Sequence, residues 1–200
     1  TLEKLLSVCI CLCMLGAMLP AQVFAEEADT AQTETVQDTA PKDTVYLSSA
    51  DDLIQLAKNC RLDSWSQNRT VVLEADIDLS SVDFNGIPSF GGTWEGQNHA
   101  ITGLSLSQDG SVQGLFRYVQ QGALVRDMTV KGRIKPGGTR ASVGGIAGSN
   151  AGTIENCAFD GVVSGTSQIG GIAGVNTVKG SINDCTVSGT VYGSHFVGGV

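Results

Sequence analysis

The sequence predicts an all-β protein: a parallel β-helix, or solenoid of short strands stacked in successive coils, with a short capping helix at its N-terminal end. The first observation is a segment that recurs at residues 143–148, 169–174 and 197–200, in steps of 26 and 28 residues. A fixed period of this length is typical of stacked repeats. The second is that 25 of the 26 glycines lie between Gly86 and Gly199. Short β-prone stretches between glycine corners predict coils of a β-helix, which we expect to be right-handed.

The first 25 residues have the pattern of a secretory signal peptide. Lys4 precedes an apolar run from Leu5 to Leu19, and Val23 and Ala25 stand at the −3 and −1 positions of a cleavage site. An uncleaved membrane anchor is the alternative, but this run is shorter than the roughly 20 residues that a spanning helix needs. We therefore expect a secreted or cell-surface protein with no membrane span after signal cleavage.

Residues 26–44 are predicted to form a disordered acidic linker. The segment is rich in Thr, Ala and Gln, and it contributes much of the formal net charge of −8. It has too few large hydrophobic residues to offset the entropy cost of ordering. The chain has no basic patch of the kind that binds nucleic acid, so no nucleic-acid partner is expected.

Residues 45–85 are predicted to form an N-terminal cap of one helix and one strand. Ser49 can cap a helix whose apolar face contains Leu53 and Leu56. A helix of about ten residues is unstable alone in water, so it must pack on the end of the sheet stack. Residues 71–79 follow as one strand in which apolar and acidic residues alternate.

The acidic side of that strand is a candidate calcium site. Glu74, Asp76 and Asp78 share one face, and Ca²⁺ binds six to eight oxygen atoms. Alternation with period two also produces a solvated outer face, which is the interpretation we favour. No metal site and no cofactor are predicted.

Residues 86–200 are predicted to form the repeats of the β-helix, interrupted at residue 200. Aligning the coils predicts four inward columns, which are Val112, Val143, Ile169 and Val197; Leu115, Ile146 and Ile172; Val125, Ile154 and Ile182; and Val130, Phe159 and Val187. Two further positions are predicted to be corners, occupied by Asp127, Asn156 and Asp184 and by Asn150 and Asn176.

Three cysteines remain after signal cleavage: Cys60, Cys157 and Cys185. An odd number in an exported chain argues against a disulfide framework. Cys157 and Cys185 occupy equivalent repeat positions, where Met128 stands one coil earlier. Side chains stacked in register point in parallel and do not converge as a disulfide requires. We expect small buried hydrophobic residues, and neither a CxxC motif nor a histidine pair supports a zinc site.

The repeats resemble those of GLUG-motif proteins, which are named for a Gly-Leu-aromatic-Gly sequence. Residues 114–117 read Gly-Leu-Phe-Arg and depart from the motif at Arg117, and residues 145–148 and 171–174 read Gly-Ile-Ala-Gly. Residues 90–101 are similar to the lead-in of such repeats. The resemblance implies an extracellular β-helical module of large bacterial surface proteins, some of which carry an IgA1-protease-type zinc peptidase. That peptidase needs an HExxH motif, which this sequence lacks.

No catalytic residue is predicted. Asp127 and Asp184 are expected two coils, roughly 10 Å, apart at a corner, where turn geometry explains acidic residues. Two groups of side chains could still contact a glycan. The basic ones are Arg117, Arg126, Lys131, Arg133 and Arg140, and the aromatic ones are Trp65, Trp94, Tyr118 and Tyr192. We interpret the first group as solvated surface and regard the second as scattered.

The sequence thus predicts a non-catalytic stalk or adhesion module of a larger bacterial surface protein. Its expected partners are host or cell-wall glycan or protein, and further coils of the same chain beyond Val200. The alternative is the leader region of a secreted peptidase, or a carbohydrate-active β-helix enzyme.

Overall fold

The computed structural model describes residues 43–137 and 142–200. The predicted signal peptide and residues 26–42 of the predicted linker lie outside the described residues. The single helix of the described part is α1 (Ala50–Asn59). The strands are β1 (Thr44–Leu47), β2 (Thr70–Leu73), β3 (Ile77–Asp78), β4 (Ile87–Phe90), β5 (Thr93–Glu95), β6 (Ala100–Leu106), β7 (Val112–Gln113), β8 (Phe116–Val119), β9 (Leu124–Ile134), β10 (Ser142–Gly144), β11 (Ala147–Asn150), β12 (Thr153–Gly165), β13 (Ile169–Gly170), β14 (Ala173–Asn176), β15 (Ser181–Asn183), β16 (Thr186–Gly193) and β17 (Val197–Gly198).

These strands form three parallel sheets that run along one solenoid. Sheet 1 follows the order β1-β2-β5-β9-β12-β15, and it also contains β3, β6 and β16. Sheet 2 follows the order β7-β10-β13-β17, and sheet 3 the order β4-β8-β11-β14. The chain thus winds through about five turns of a parallel β-solenoid. This confirms the predicted fold class.

The helix begins where the sequence predicts. The Ser49 hydroxyl accepts a hydrogen bond from the Asp52 backbone N–H at 3.2 Å and donates one to the Asp52 carboxylate at 2.7 Å. Leu53 and Leu56 are buried, and α1 contacts β1 and β4, the terminal strands of sheets 1 and 3. The helix is therefore held by its N-cap and by its apolar face on the end of the stack.

The N-terminal region differs from the prediction in two respects. Strand β1 begins at Thr44, the last residue of the predicted linker, and pairs in parallel with β2. The predicted single strand over 71–79 is two strands, β2 and β3, separated at residues 74–76. The region is therefore the beginning of the solenoid itself, because Val45 and Val71 continue the inward column of Trp94 and Val125.

Three of the four predicted columns have the predicted register. Ile154 pairs with Val125 and Ile182, and Phe159 pairs with Val130 and Val187. The third contains Leu115, Ile146 and Ile172, all of them fully buried.

The prediction for the remaining column is wrong in its first member, which is Gln113 and not Val112. Val143 pairs with Gln113, while Val112 pairs with Ser142. Gln113 is buried, and its amide donates to the Gln108 carbonyl at 3.2 Å. The reason is that Leu115 follows Gln113 by two positions, whereas Ile146 follows Val143 by three.

Three glycines stack in register on successive coils of sheet 1. Gly161 pairs with Gly132 on one side and with Gly189 on the other. A Cβ atom on Gly161 would collide with the Gly132 carbonyl oxygen, and the Gly161 φ of 153° also disfavours other residues.

In the part of the chain that the structure describes, no helix has the length and apolar character needed to cross a membrane.

We expect Gly161→Ala to destabilise the fold by at least about 3 kcal/mol, because it adds a backbone collision to positive-φ strain. Gly122→Ala is the matched control: Gly122 has φ 83°, but nothing lies within 4 Å of a Cβ placed there. The control should cost only about 1–2 kcal/mol. Urea unfolding measures both values, and an equal cost for the two variants would contradict the stacking argument.

Candidate functional site

Two of the three carboxylates of the candidate calcium site, those of Asp76 and Asp78, bind local groups. Asp76 accepts hydrogen bonds from the Ala100 backbone N–H at 2.9 Å and from the His99 ring at 3.1 Å. These two hydrogen bonds hold the Asp76 pKa below its ordinary value, and the one from Ala100 has the larger effect. Asp78 accepts from the backbone and hydroxyl of Ser80, each at 2.9 Å. Within residues 43–137 and 142–200, no three such side chains come together as a metal site.

The corner of Asp127, Asn156 and Asp184 is built as the sequence predicts. All three residues have positive φ, at 57°, 48° and 50°. The Asn156 amide donates to the Asp127 carboxylate at 2.5 Å, so an amide stands between the two acids. A shallow cavity of about 180 Å³ lies beside Asn156, Cys157 and Asp184. The column therefore links coils and does not present a direct carboxylate pair.

An ion-pair ladder crosses the outer face of sheet 1. Glu95, Arg126 and Glu155 stand opposite one another on β5, β9 and β12. The Arg126 guanidinium contacts Glu95 through two bonds of 2.7 and 2.9 Å, and Glu155 lies at 4.0 Å. Bidentate geometry makes the first contact the stronger one. Arg126 is thus a structural link between coils.

The other basic residues of the predicted group are dispersed. Lys131 and Arg133 stand two positions apart on β9, and both are exposed. Arg140 lies outside the described residues. Arg117 is half-buried on β8, on a different sheet, and its Nε donates to the Asn85 carbonyl at 3.2 Å. The structure therefore separates Arg117 from the cations with which the sequence grouped it.

The aromatic residues do not form a joint platform. Trp94 is fully buried and packs edge-on against Phe116, with ring centroids 5.2 Å apart, so it is a core residue and not part of a glycan surface. Trp65 stacks under the Arg69 guanidinium at 4.7 Å. Tyr118 and Tyr192 are 46% and 47% exposed, but they lie on sheets 3 and 1.

Cys157 and Cys185 stack on successive coils, as predicted. Both are free thiols, and Cys157 is buried whereas Cys185 is half-buried. The hydrogen bond between the two thiols lowers the Cys185 pKa and, together with burial, raises that of Cys157. Cys60 is separate, and burial raises its pKa to about 11. Cys185 is therefore the most acidic of the three thiols.

Sequence reasoning missed a cavity of about 250 Å³ between α1 and the turn before β4. Three cationic residues line it, and they are Lys58, Arg61 and Arg117. Lys58 lies in the last turn of α1 and Arg61 two residues after the helix ends, so the sequence places both cations near this helix end. Their approach to Arg117 depends on how the helix packs, which no local pattern reveals.

An asparagine pair also proved more important than the sequence indicated. Asn150 is fully buried, and its amide donates to Asn176 at 2.8 Å and to the Ser181 carbonyl at 3.2 Å. It also accepts from the Gly152 backbone N–H at 3.1 Å. The predicted corner is thus a hydrogen-bonded link between two coils.

Comparisons with known proteins identify the repeats. Residues 139–164 and 165–192 match the family model described as "The GLUG motif". The chain is 29% identical over 133 residues to halomucin of Haloquadratum walsbyi, an alignment that covers 58% of this chain. The chain spans only 1% of the length of that relative. No solved structure matches the chain. The chain therefore carries two adjacent GLUG repeats, as the resemblance implied.

We expect iodoacetamide to alkylate Cys185 several-fold faster than Cys60 near pH 7, because the thiolate is the nucleophile and Cys185 has the lower pKa. Cys157→Ala should slow the reaction of Cys185, since it removes the hydrogen bond that favours the thiolate. Peptide mapping by mass spectrometry gives the rate at each position. Cys60→Ala is the control, and equal Cys185 rates in both variants would contradict the assignment.

Proposed function

We propose that this GLUG repeat protein is a secreted, non-catalytic stalk and adhesion module of a larger bacterial surface protein. The observation that carries the proposal is the parallel stack itself, in which polar links join one coil to the next on the outer faces and at the corners. Solenoids of this kind present long, uniform surfaces. The resemblance to GLUG surface proteins and the likeness to halomucin support an extracellular location.

Residues that could serve chemistry are engaged in holding the coils together. Asp76 binds the backbone of the next coil, Asp127 binds Asn156, and Arg126 binds Glu95. A glycosidase needs two carboxyl groups free to act on one bond, about 5–9.5 Å apart. The use of these groups as inter-coil links favours the stalk over the carbohydrate-active enzyme.

The outer face of sheet 1 supports weak, multivalent binding. One outward column consists mainly of small hydroxyl residues, and its members from the second coil strand onward are Thr70, Thr93, Leu124, Thr153 and Ser181. Hydroxyls both donate and accept hydrogen bonds, and their repetition in register offers such a group on four of these five strands, with neighbouring strands about 4.8 Å apart. Host or cell-wall glycan or protein is the partner class that we propose.

The last described coil is proposed to receive a further coil of the same chain. Column residues that are fully buried in earlier coils become accessible here: Val197 is 45% exposed, whereas Ile169, its partner on β13, is 1% exposed. An unpaired strand edge next to accessible apolar side chains favours parallel stacking of another strand. Such a coil would cover β16 and β17.

Glycan arrays and polysaccharide digestion test the main proposal. We expect the intact chain to bind glycans weakly at high array density, and to release no reducing or unsaturated sugar ends from them. Asp127→Asn and Asp184→Asn should leave binding within about twofold. Release of products by the intact chain, abolished in either variant, would replace the stalk with the carbohydrate-active enzyme.

Hydrogen exchange tests the stacking of a further coil. Amides of β16 should exchange at least about 100-fold faster in this 200-residue chain than in a longer chain that contains another GLUG coil. Amides of β9, which has neighbours on both sides in this chain, serve as the internal control. Unchanged β16 protection in the longer chain would contradict the proposal.

A further inference from the structure

The cavity beside α1 lies where the regular stacking of the solenoid is incomplete. Arg117 on β8 occupies the position of Gly148 on β11, because their neighbours Phe116 and Ala147 pair directly. A Cβ atom on Gly148 would collide with Val112 of β7, a strand of sheet 2. Among the described residues β7 is the first strand of sheet 2, so no described strand of that sheet precedes it to crowd Arg117. The missing strand leaves room for a long side chain and for the cavity.

Arg117 is held in place at the edge of this space. Its Nε donates to the Asn85 carbonyl at 3.2 Å. Asn85 precedes Gly86, whose φ of 80° belongs to the turn that leads into β4. The guanidinium of an arginine carries five N–H donors, so one bond to a carbonyl leaves the terminal nitrogens available for a ligand.

The cavity is positively charged in an acidic protein. Lys58 and Arg61 at the end of α1 and Arg117 on β8 face a single carboxylate, Asp83. Within the described residues, none of the three cations forms a salt bridge. A concave cluster of like charge attracts a small anion more strongly than a flat surface does. The whole chain has a formal net charge of −8, so this cationic cluster is opposite in sign to the protein as a whole.

Apolar and hydrogen-bonding groups complete the lining. The apolar members are Ile54, Ala57, Phe84 and Pro88. Phe84 is buried, and Ile54 and Ala57 pack against the hydrophobic core. Asp83 and Asn85 offer oxygen atoms that can accept hydrogen bonds. The cavity therefore combines cations, acceptors and an apolar wall within about 250 Å³.

We infer that this cavity binds a carboxylate-bearing sugar, such as the terminal uronic acid of a glycan. The arginines match the planar carboxylate, and the apolar wall can receive a face of the sugar ring. Asp83 and Asn85 would accept hydrogen bonds from ring hydroxyls. The Asp83 carboxylate repels a multiply charged anion such as phosphate, whereas a sugar acid offers it donors. The volume is below the usual range for drug-sized ligands and suits a single sugar unit.

The inference deepens the glycan-binding part of the proposed function and rests on it. It adds one defined site to the diffuse contacts along sheet 1. Because the site lies at the N-terminal end of the stack, a sugar bound here leaves the repeated outer faces free. The two kinds of binding can be separated by mutation.

Calorimetry and NMR titration with glucuronic acid, glucose and inorganic phosphate test the site. We expect the intact chain to bind glucuronic acid at least 10-fold more tightly than either of the other two, with amide shifts at Asn85 and Gly86. Arg117→Gln should weaken glucuronic acid at least 10-fold. Arg133→Gln is the matched control, since it removes the same charge from an exposed strand position, and it should change the affinity less than twofold.

A second variant is needed because Arg117 also bonds to Asn85, so Arg117→Gln could weaken binding by disturbing the local fold. The double variant Lys58→Gln/Arg61→Gln changes exposed residues at the helix end and should also weaken glucuronic acid at least 10-fold with unchanged circular dichroism. Equal affinity for glucose, tighter binding of phosphate, or unaffected glucuronic acid binding in the double variant would each overturn the inference. If one of these three results is found while the intact chain still binds neutral glycans, the inference about this site fails and the proposed stalk and adhesion function stands.

Discussion

The structure depends on one constraint: every coil must lie directly on the last, with backbone hydrogen bonds joining strands whose paired residues are 23 to 31 positions apart. Strands in such a ladder are only about 4.8 Å apart, so each position meets its own counterpart in the next coil. A side chain that suits one coil must therefore suit its neighbours. The stacked glycines at 132, 161 and 189 show the limit, because no Cβ fits there at all.

The same constraint explains why polar residues in this fold hold the structure together. A polar group at a corner or on an outer face lies beside the equivalent position of the next coil, where a polar residue can form a hydrogen bond or an ion pair with it. Asn150 bonds to Asn176, Asn156 to Asp127, and Arg126 to Glu95. Burial makes such links valuable, because an unpaired amide in the position of Asn150 would cost about 1–3 kcal/mol. Regular stacking thus engages polar groups in contacts between coils, so these groups are not available to a binding or catalytic site.

What the sequence could predict follows from this regularity. The columns of Ile154 and Phe159 and the corner at Asn156 could be predicted from the sequence, because each of these positions repeats and the residues beside it repeat with it. Prediction failed where the repeat changes. Gln113 entered the core because its coil is one residue shorter before Leu115, and β1 was missed because four residues of strand lie before any repeat is recognisable.

The candidate cavity lies at such a break, and that is why the sequence could place only Arg117 among unusual residues. Lys58 and Arg117 are brought together by the packing of α1 on the end of the stack, a contact that has no period and no motif. Yet the departure itself was visible, since an arginine stands where later coils have glycine. In the regular coils that glycine is required by the strand packed against it. A long charged side chain at the same position therefore indicates that no such strand packs there, as is the case among the described residues, and the proposed ligand would use the space that is left.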